Sequence, residues 1–163
     1  MVVVGVRIAR ATPEEAELCF QIARAASVTG FRHIFPPDLY EFPDDAIRTD
    51  WTAALADPNA ETYIAFEEDE AVGVVSVNDG LLQTLYVTPE TWNRGVGSAL
   101  HDLALDRLRE SGIREAHLWT LTDNDRARAF YERRGWALTG RTRVVPYPPH
   151  PLDVEYARST IRS

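Results

Sequence analysis

The sequence predicts a mixed α/β (α+β) domain: one mostly antiparallel central sheet with helices on both faces, in the order β-α-α-β-β-β-α-β-α-β-β. Three observations predict it. β-rich segments at residues 61–66, 71–77 and 81–87 follow one another across tight turns; amphipathic helical patterns at 94–110 and 124–134 flank a short β-rich run; and no repeat or linker divides the chain. With 163 residues and 45% hydrophobic content, residues 1–163 are expected to form a single domain with one substantial core.

Residues 2–9 are β-rich and read as the first strand. Thr12-Pro13-Glu14-Glu15 then supplies an N-cap, a proline at the first helical position and acids in the first turn, so a helix is expected from Pro13 to about Ser27. Pro36-Pro37 keeps the aromatic stretch 29–40 out of helix, and Pro43-Asp44-Asp45 opens a second helix that ends near Asp57-Pro58. Glu67-Glu68-Asp69-Glu70 and Asn78-Asp79-Gly80 read as hairpin turns. The helix at 94–110 presents Val96, Leu100, Leu103, Ala104 and Leu108 at helical spacing and stops at Ser111-Gly112. A strand at 116–121 and a short helix at 124–134 follow. Strands at 136–145 and 153–161 close the domain around the proline-rich segment 146–151.

The composition excludes several functions. A net charge of −8 argues against a nucleic-acid partner. There is no leader-like start and no apolar run of membrane-spanning length, so a cytoplasmic protein without a membrane partner is expected. Cys19, alone, reads as a small buried residue. His33, His101, His117 and His150 show no metal-ligand spacing, so no metal is expected. Charge is also uneven: eleven acids between residues 32 and 70 face only Arg32 and Arg48, whereas between 94 and 143 ten arginines face seven acids. An anionic ligand is favoured on the second half and a cationic one near the first.

The chemistry concentrates at Leu85-Tyr86-Val87-Thr88-Pro89 and the following Trp92-Asn93-Arg94-Gly95-Val96-Gly97-Ser98. A β-like run passes through a glycine-spaced turn into a helix, and the first N–H groups of a helix lack partners and carry partial positive charge. A phosphate satisfies both needs. Gly95 and Gly97 remove Cβ atoms where a pyrophosphate would approach, and Arg94 adds a cation. The same glycines fit a tight turn made for packing, and the local pattern leaves both readings open. A dinucleotide fingerprint is excluded because Leu100 stands where its third glycine belongs, and a Walker loop because all 17 basic residues are arginine.

In this order the chain resembles the GCN5-related N-acetyltransferases, the GNAT superfamily, over essentially its whole length. The resemblance rests on Leu85-Tyr86-Val87-x-Pro89, on Arg94-Gly95-Val96-Gly97-Ser98-Ala99-Leu100, on Asn124, and on Ala129-Phe130-Tyr131-Glu132-Arg133-Arg134-Gly135-Trp136. It implies acetyl-CoA as co-substrate. Leu85, Tyr86 and Val87 would pair with pantetheine, the Val87 amide would serve as oxyanion donor, Asn93, Arg94, Gly95, Val96, Gly97 and Ser98 would cradle the pyrophosphate, Asn124 would meet the pantetheine arm, and Tyr131 would act as general acid toward the leaving thiolate. The implied reaction is direct attack by a primary amine, on a small molecule or a peptide, within a ternary complex. The family also implies a homodimer through the last strands. Two departures stand out: Trp92 replaces the usual Gln or Arg, and Trp119 occupies a strand position where ribosomal-protein acetyltransferases carry a glutamate base.

The general base stays open among Asp79, Glu41, His33, His150, Glu155 and water. The acceptor is expected between the aromatic segment 31–42 and the loop 147–150, whose aromatics and neighbouring acids suit a cationic amine with an apolar body. Two alternatives remain: an acyl-CoA-binding module with weak or no catalysis, and, disfavoured by the acidic charge, a toxin that acetylates charged tRNA. The sequence does not choose between acetyl and larger acyl groups.

Overall fold

The structure, a computed structural model, describes residues 5–161. Strand β1 (Val6–Arg10) realises the later part of the expected first strand, whose residues 2–4 lie outside the described residues. The helix expected from Pro13 is divided. A 3₁₀ turn at Pro13–Glu15, closed by the Thr12 N–H donating to Glu15 Oε1 at 2.9 Å, leads into α1 (Ala16–Gly30). Helix α2 (Asp44–Ala56) starts after Pro43 as expected.

Strands β2 (Ala60–Glu67) and β3 (Glu70–Asn78) form a hairpin through Glu68-Asp69. β3 passes to β4 (Leu81–Val87) through Asp79 (φ 46°) and Gly80 (φ 88°), both left-handed as a tight hairpin turn requires. Val77 pairs with Leu82 but Ser76 with Thr84, so Gln83 is an extra residue that bulges β4. Helix α3 (Val96–Glu110) begins two residues later than expected because Asn93 (φ 64°) and Gly95 (φ 89°) take left-handed backbone just before it. The remaining elements are β5 (Glu115–Leu121), α4 (Asp125–Arg133), β6 (Ala137–Val144) and β7 (Leu152–Ser159).

The strands form one sheet in the order β1-β2-β3-β4-β5-β7-β6, antiparallel among the described residues except between β4 and β5. Those two strands pair only at Leu81 and His117, where the His117 N–H donates to the Gly80 carbonyl at 3.0 Å. Beyond that point they diverge. Two cores grip the sheet: Leu100, Leu105, Leu118 and Tyr156 on one side, and Phe20, Ile22, Trp51 and Ile64 on the other, each buried side chain contributing about 1.5–3 kcal/mol. Cys19 lies in the second core, and burial pushes its thiol pKa up to about 12, so it is inert packing. Some of the uneven charge is spent across the two halves, since Arg107 pairs with Glu61 (2.9 Å) and Arg94 with Glu67 (2.9 Å).

Candidate active site

The divergence of β4 from β5 leaves backbone groups without a neighbouring strand. The Thr88 N–H donates to the Val72 carbonyl at 2.8 Å and Tyr86 pairs with Val74, so strand alternation turns the backbone of Leu85 and Val87 away from β3 and toward the opening. The Val87 carbonyl there accepts a hydrogen bond from Trp92 Nε1 at 2.7 Å. Trp92, placed where the resemblance leads one to expect Gln or Arg, is thus a packing piece, and the Arg126 guanidinium lies 3.6 Å over its ring.

Helix α3 starts at the same opening. Gly95 occupies its N-cap, no side chain caps it, and its first turn holds no acid, so its leading N–H groups face a cavity of about 420 Å³ with partial positive charge uncompensated. By contrast, Asn124 Oδ1 caps α4 by accepting from the Ala127 N–H at 3.3 Å. Leu85, Tyr86, Val87, Asn93, Gly95, Gly97, Ser98, Asn124 and Tyr131 all border that cavity. Two residues of the loop do not: Val96 is buried in the core, and the Arg94 side chain, 52% exposed, is held by Glu67.

The cations that do border the cavity come from α4 and its C-cap. Arg126, Arg133 and Arg134 line it, and among the described residues none forms an ion pair with a carboxylate. Arg134 hydrogen-bonds Ser98 Oγ and stacks 3.6 Å over Phe130. Sequence reasoning passed over these three arginines. The signal was present as a cationic helix following the glycine turn, but only the fold shows which of its arginines face the α3 terminus.

Tyr131 stands at the junction of this cavity with a larger one of about 1160 Å³. It is 7% exposed, and burial, with Tyr86 close by, raises its hydroxyl pKa above the ordinary value. The hydroxyl therefore keeps its proton at neutral pH and is a weaker acid than a free tyrosine. Beneath it, His101 is buried. Trp136 Nε1 donates to His101 Nε2 at 3.0 Å, which leaves Nδ1 to donate to Asp102 Oδ1 at 3.0 Å. Phe130, Tyr131 and Trp136 pack edgewise or tilted around that ring and fix the aromatic face of α4.

The larger cavity lies between α1, α2, the diverged strands and the β6–β7 loop, and residues of both segments between which the sequence reading expects the acceptor border it. Phe31, Phe35, Phe42 and Tyr147 contribute aromatic wall. Of the residues considered for the base, Glu41 borders this cavity and the others do not. Asp79 is a turn residue with φ 46°. His33 Nε2 donates to the Asp123 carbonyl at 2.7 Å and fastens the α1–α2 segment to the β5–α4 loop. His150 Nδ1 sits 3.1 Å from the Val145 carbonyl. Glu155 is buried on β7 and accepts from Thr139 Oγ1 at 2.7 Å. The structure adds Asp50, Asp57 and Asp153, none of which the sequence singled out for a catalytic role.

A mixed sheet split between its fourth and fifth strands is also the fold of solved acetyltransferases. The GCN5-related N-acetyltransferase of Rhodopseudomonas palustris described as "Aminotransferase, Class-II" superposes with a TM-score of 0.80 at 20% identity over 98% of both chains. The PaiA N-acetyltransferase of Thermoplasma acidophilum, solved in complex with coenzyme A, gives 0.68 at 17% identity over 92% of this chain and 97% of that one. Residues 28–136 match the acetyltransferase (GNAT) family, and the chain belongs to that family.

Curated relatives carry related names. A mycothiol acetyltransferase of Beutenbergia cavernae is 44% identical over 57 residues, 35% of this chain and 19% of that protein. Protein YxbD of Bacillus subtilis, described as uncharacterized, is 39% identical over 77 residues, 47% of this chain and 41% of that protein. The peptidyl-lysine N-acetyltransferase YjaB of Salmonella typhimurium is 27% identical over 118 residues, 67% of this chain and 77% of that protein. The chain therefore spans about a fifth and about two fifths of the length of the first two.

Proposed function

We propose that this protein transfers an acetyl group from acetyl-CoA to a primary amine, on a small molecule or a peptide, by direct attack in a ternary complex. The observation that carries the proposal is Tyr131 in the wall shared by two unlike cavities, one at an uncapped helix N-terminus and one lined with aromatics and acids. The residues fit the co-substrate. The α3 terminus with Arg126, Arg133 and Arg134 suits the phosphates, and the unpaired edge of β4 at Leu85 and Val87 suits an amide-bearing pantetheine arm. Asn124 borders the path between them, and the Arg94 side chain, held by Glu67, supports the loop from outside.

The chemistry then follows from position. Attack of the amine nitrogen on the thioester carbon moves negative charge to the carbonyl oxygen, and the fixed Val87 N–H is the donor for it. Collapse breaks the C–S bond, and the Tyr131 hydroxyl, protonated throughout neutral pH, donates to the departing sulfur. Holding both reactants in one cleft supplies much of the remaining acceleration. The names of YjaB and the mycothiol acetyltransferase support an acetyltransferase reading. The exposed edge strand β6, which presents Leu138 and Val144, is the surface we assign to homodimer formation, to be checked by light scattering.

The test is a thiol-release assay with acetyl-CoA against a panel of amines, paired with calorimetric titration of CoA. Release of CoA thiol above spontaneous hydrolysis with at least one amine is expected. CoA binding without turnover across the panel would instead establish a binding module, and no CoA binding would remove the proposal altogether.

A further inference from the structure

Among the carboxylates that border the acceptor cavity, Asp153 differs from the rest. Asp57 already accepts from the Asn59 N–H at 2.8 Å and from Asn78 Nδ2 at 3.0 Å. Glu41 and Asp50 are exposed at the rim. Asp153 sits near the start of β7, directly opposite Leu121 at the far end of β5, where β5 has left β4. Its side chain is only 13% exposed.

Strand alternation decides which way it faces. Tyr156, three residues on, lies on the other face of the sheet, where its hydroxyl meets Arg128 and Glu132 of α4. Asp153 therefore belongs to the α1–α2 face, the face on which Tyr86 packs against the core built from those helices. Tyr86 and Asp153 both border the larger cavity, and burial, with a smaller effect from the charge of Asp153, holds the Tyr86 hydroxyl above its ordinary pKa. From β6, Arg143 Nε donates to Asp153 Oδ2 at 3.0 Å, and the same guanidinium lies 4.5 Å over the Trp119 ring. The carboxylate is thus fixed through one oxygen. Oδ1 has no hydrogen-bond partner among the described residues.

We propose that Asp153 is the proton acceptor for the attacking amine, an assignment that rests on the acetyltransferase reading above. The neutral amine forms the C–N bond to the thioester carbon, and the proton on that nitrogen, made acidic by bond formation, passes to the Asp153 carboxylate. As the C–S bond breaks, the sulfur takes its proton from Tyr131. Water then removes the proton from Asp153 and restores that of Tyr131, which closes the balance. Arg143 holds the orientation of the Asp153 carboxylate through Oδ2 and acts as a positioning residue.

The experiment compares wild type, Asp153→Asn and Arg143→Gln in kcat/KM for a series of primary amines of decreasing basicity at one pH, with CoA affinity measured by calorimetry for each. Asp153→Asn is expected to lower kcat/KM about 100-fold for alkylamines, with CoA affinity unchanged. The loss should shrink steadily toward weakly basic amines, whose attacking nitrogen sheds its proton to water. Arg143→Gln breaks the same ion pair but retains the carboxylate, so it is expected to cost only about tenfold; a loss as large as that of Asp153→Asn would trace the effect to the ion pair and overturn the assignment. Equal loss across the whole series, wild-type rates in Asp153→Asn, or a parallel fall in CoA affinity would each overturn the assignment. A wild-type protein that binds CoA but acetylates no amine would overturn the broader reading, and this one with it; a wild type that is active beside an equally active Asp153→Asn overturns this one alone.

Discussion

The two cavities that meet at Tyr131 are built by opposite means. The smaller is bordered by Arg126, Arg133 and Arg134, by the uncapped start of α3 and by the edge of β4, and among the described residues no carboxylate lines it. The larger is bordered by Glu41, Asp50, Asp57 and Asp153, while its two arginines, Arg24 and Arg143, are neutralised by Asp44 and Asp153 at 3.0 Å each. One side is prepared for an anion and the other for a cation. The divergence of β4 from β5 lets the two meet around Tyr131 and its neighbours while their charged walls lie on different segments.

The sharpest way to break this contrast is at the junction. Tyr131→Phe should lower kcat by at least about 100-fold while CoA affinity stays within about twofold, as read by thiol release and calorimetry. A wild-type kcat would make Tyr131 only a wall. Next comes Gly97, where an added Cβ would lie 3.6 Å from Phe130 and 3.7 Å from Val87, ordinary contacts, with no left-handed backbone to strain. Gly97→Ala should therefore leave the melting temperature intact and weaken CoA binding about tenfold, since the methyl group intrudes only on the ligand side. A lower melting temperature with unchanged affinity would show that this glycine serves packing.

Arg126→Ala should weaken CoA binding about fivefold, and added salt should shrink the difference, because a charge this open to water is worth about 1 kcal/mol. On the opposite side, Glu41→Gln and Asp50→Asn should each raise KM for a cationic amine only about twofold and leave CoA affinity alone. A comparable loss for an uncharged acceptor would remove the electrostatic contrast.

Last is a pH effect at the support beneath Tyr131. Burial lowers the His101 pKa from its ordinary 6.5, outweighing Asp102, so the unfolded chain takes up the proton more readily than the folded one. Stability from this group should be fully present above the unfolded value and fall as pH drops through it. Melting temperatures between pH 8 and 5.5 test this, and the dependence should flatten in His101→Leu.

Much of the smaller cavity was legible in the sequence because it is written locally. Leu85 to Ser98 forms a continuous strand-turn-helix, and Asn124 and Tyr131 follow on the next strand end and helix. The misjudged detail was which cation points inward. Sequence placed Arg94 beside the glycines, whereas the left-handed backbone at Asn93 and Gly95 swings its side chain onto Glu67. That Asp153 borders the larger cavity was illegible for a different reason: it is an unremarkable acid in a strand until β7 inserts between β5 and β6.

The sequence by itself determined the order of elements, the glycine turn opening α3, the tight turn at Asp79-Gly80 and the burial of Cys19, because propensity, capping and hydrophobic period act over a few residues. Tertiary structure alone decided where β4 leaves β5, which arginines face the α3 terminus and which carboxylates border the larger cavity. Those outcomes depend on strand order and on ion pairs between segments far apart in the chain, such as Arg94 with Glu67 and Arg107 with Glu61, which no local pattern encodes.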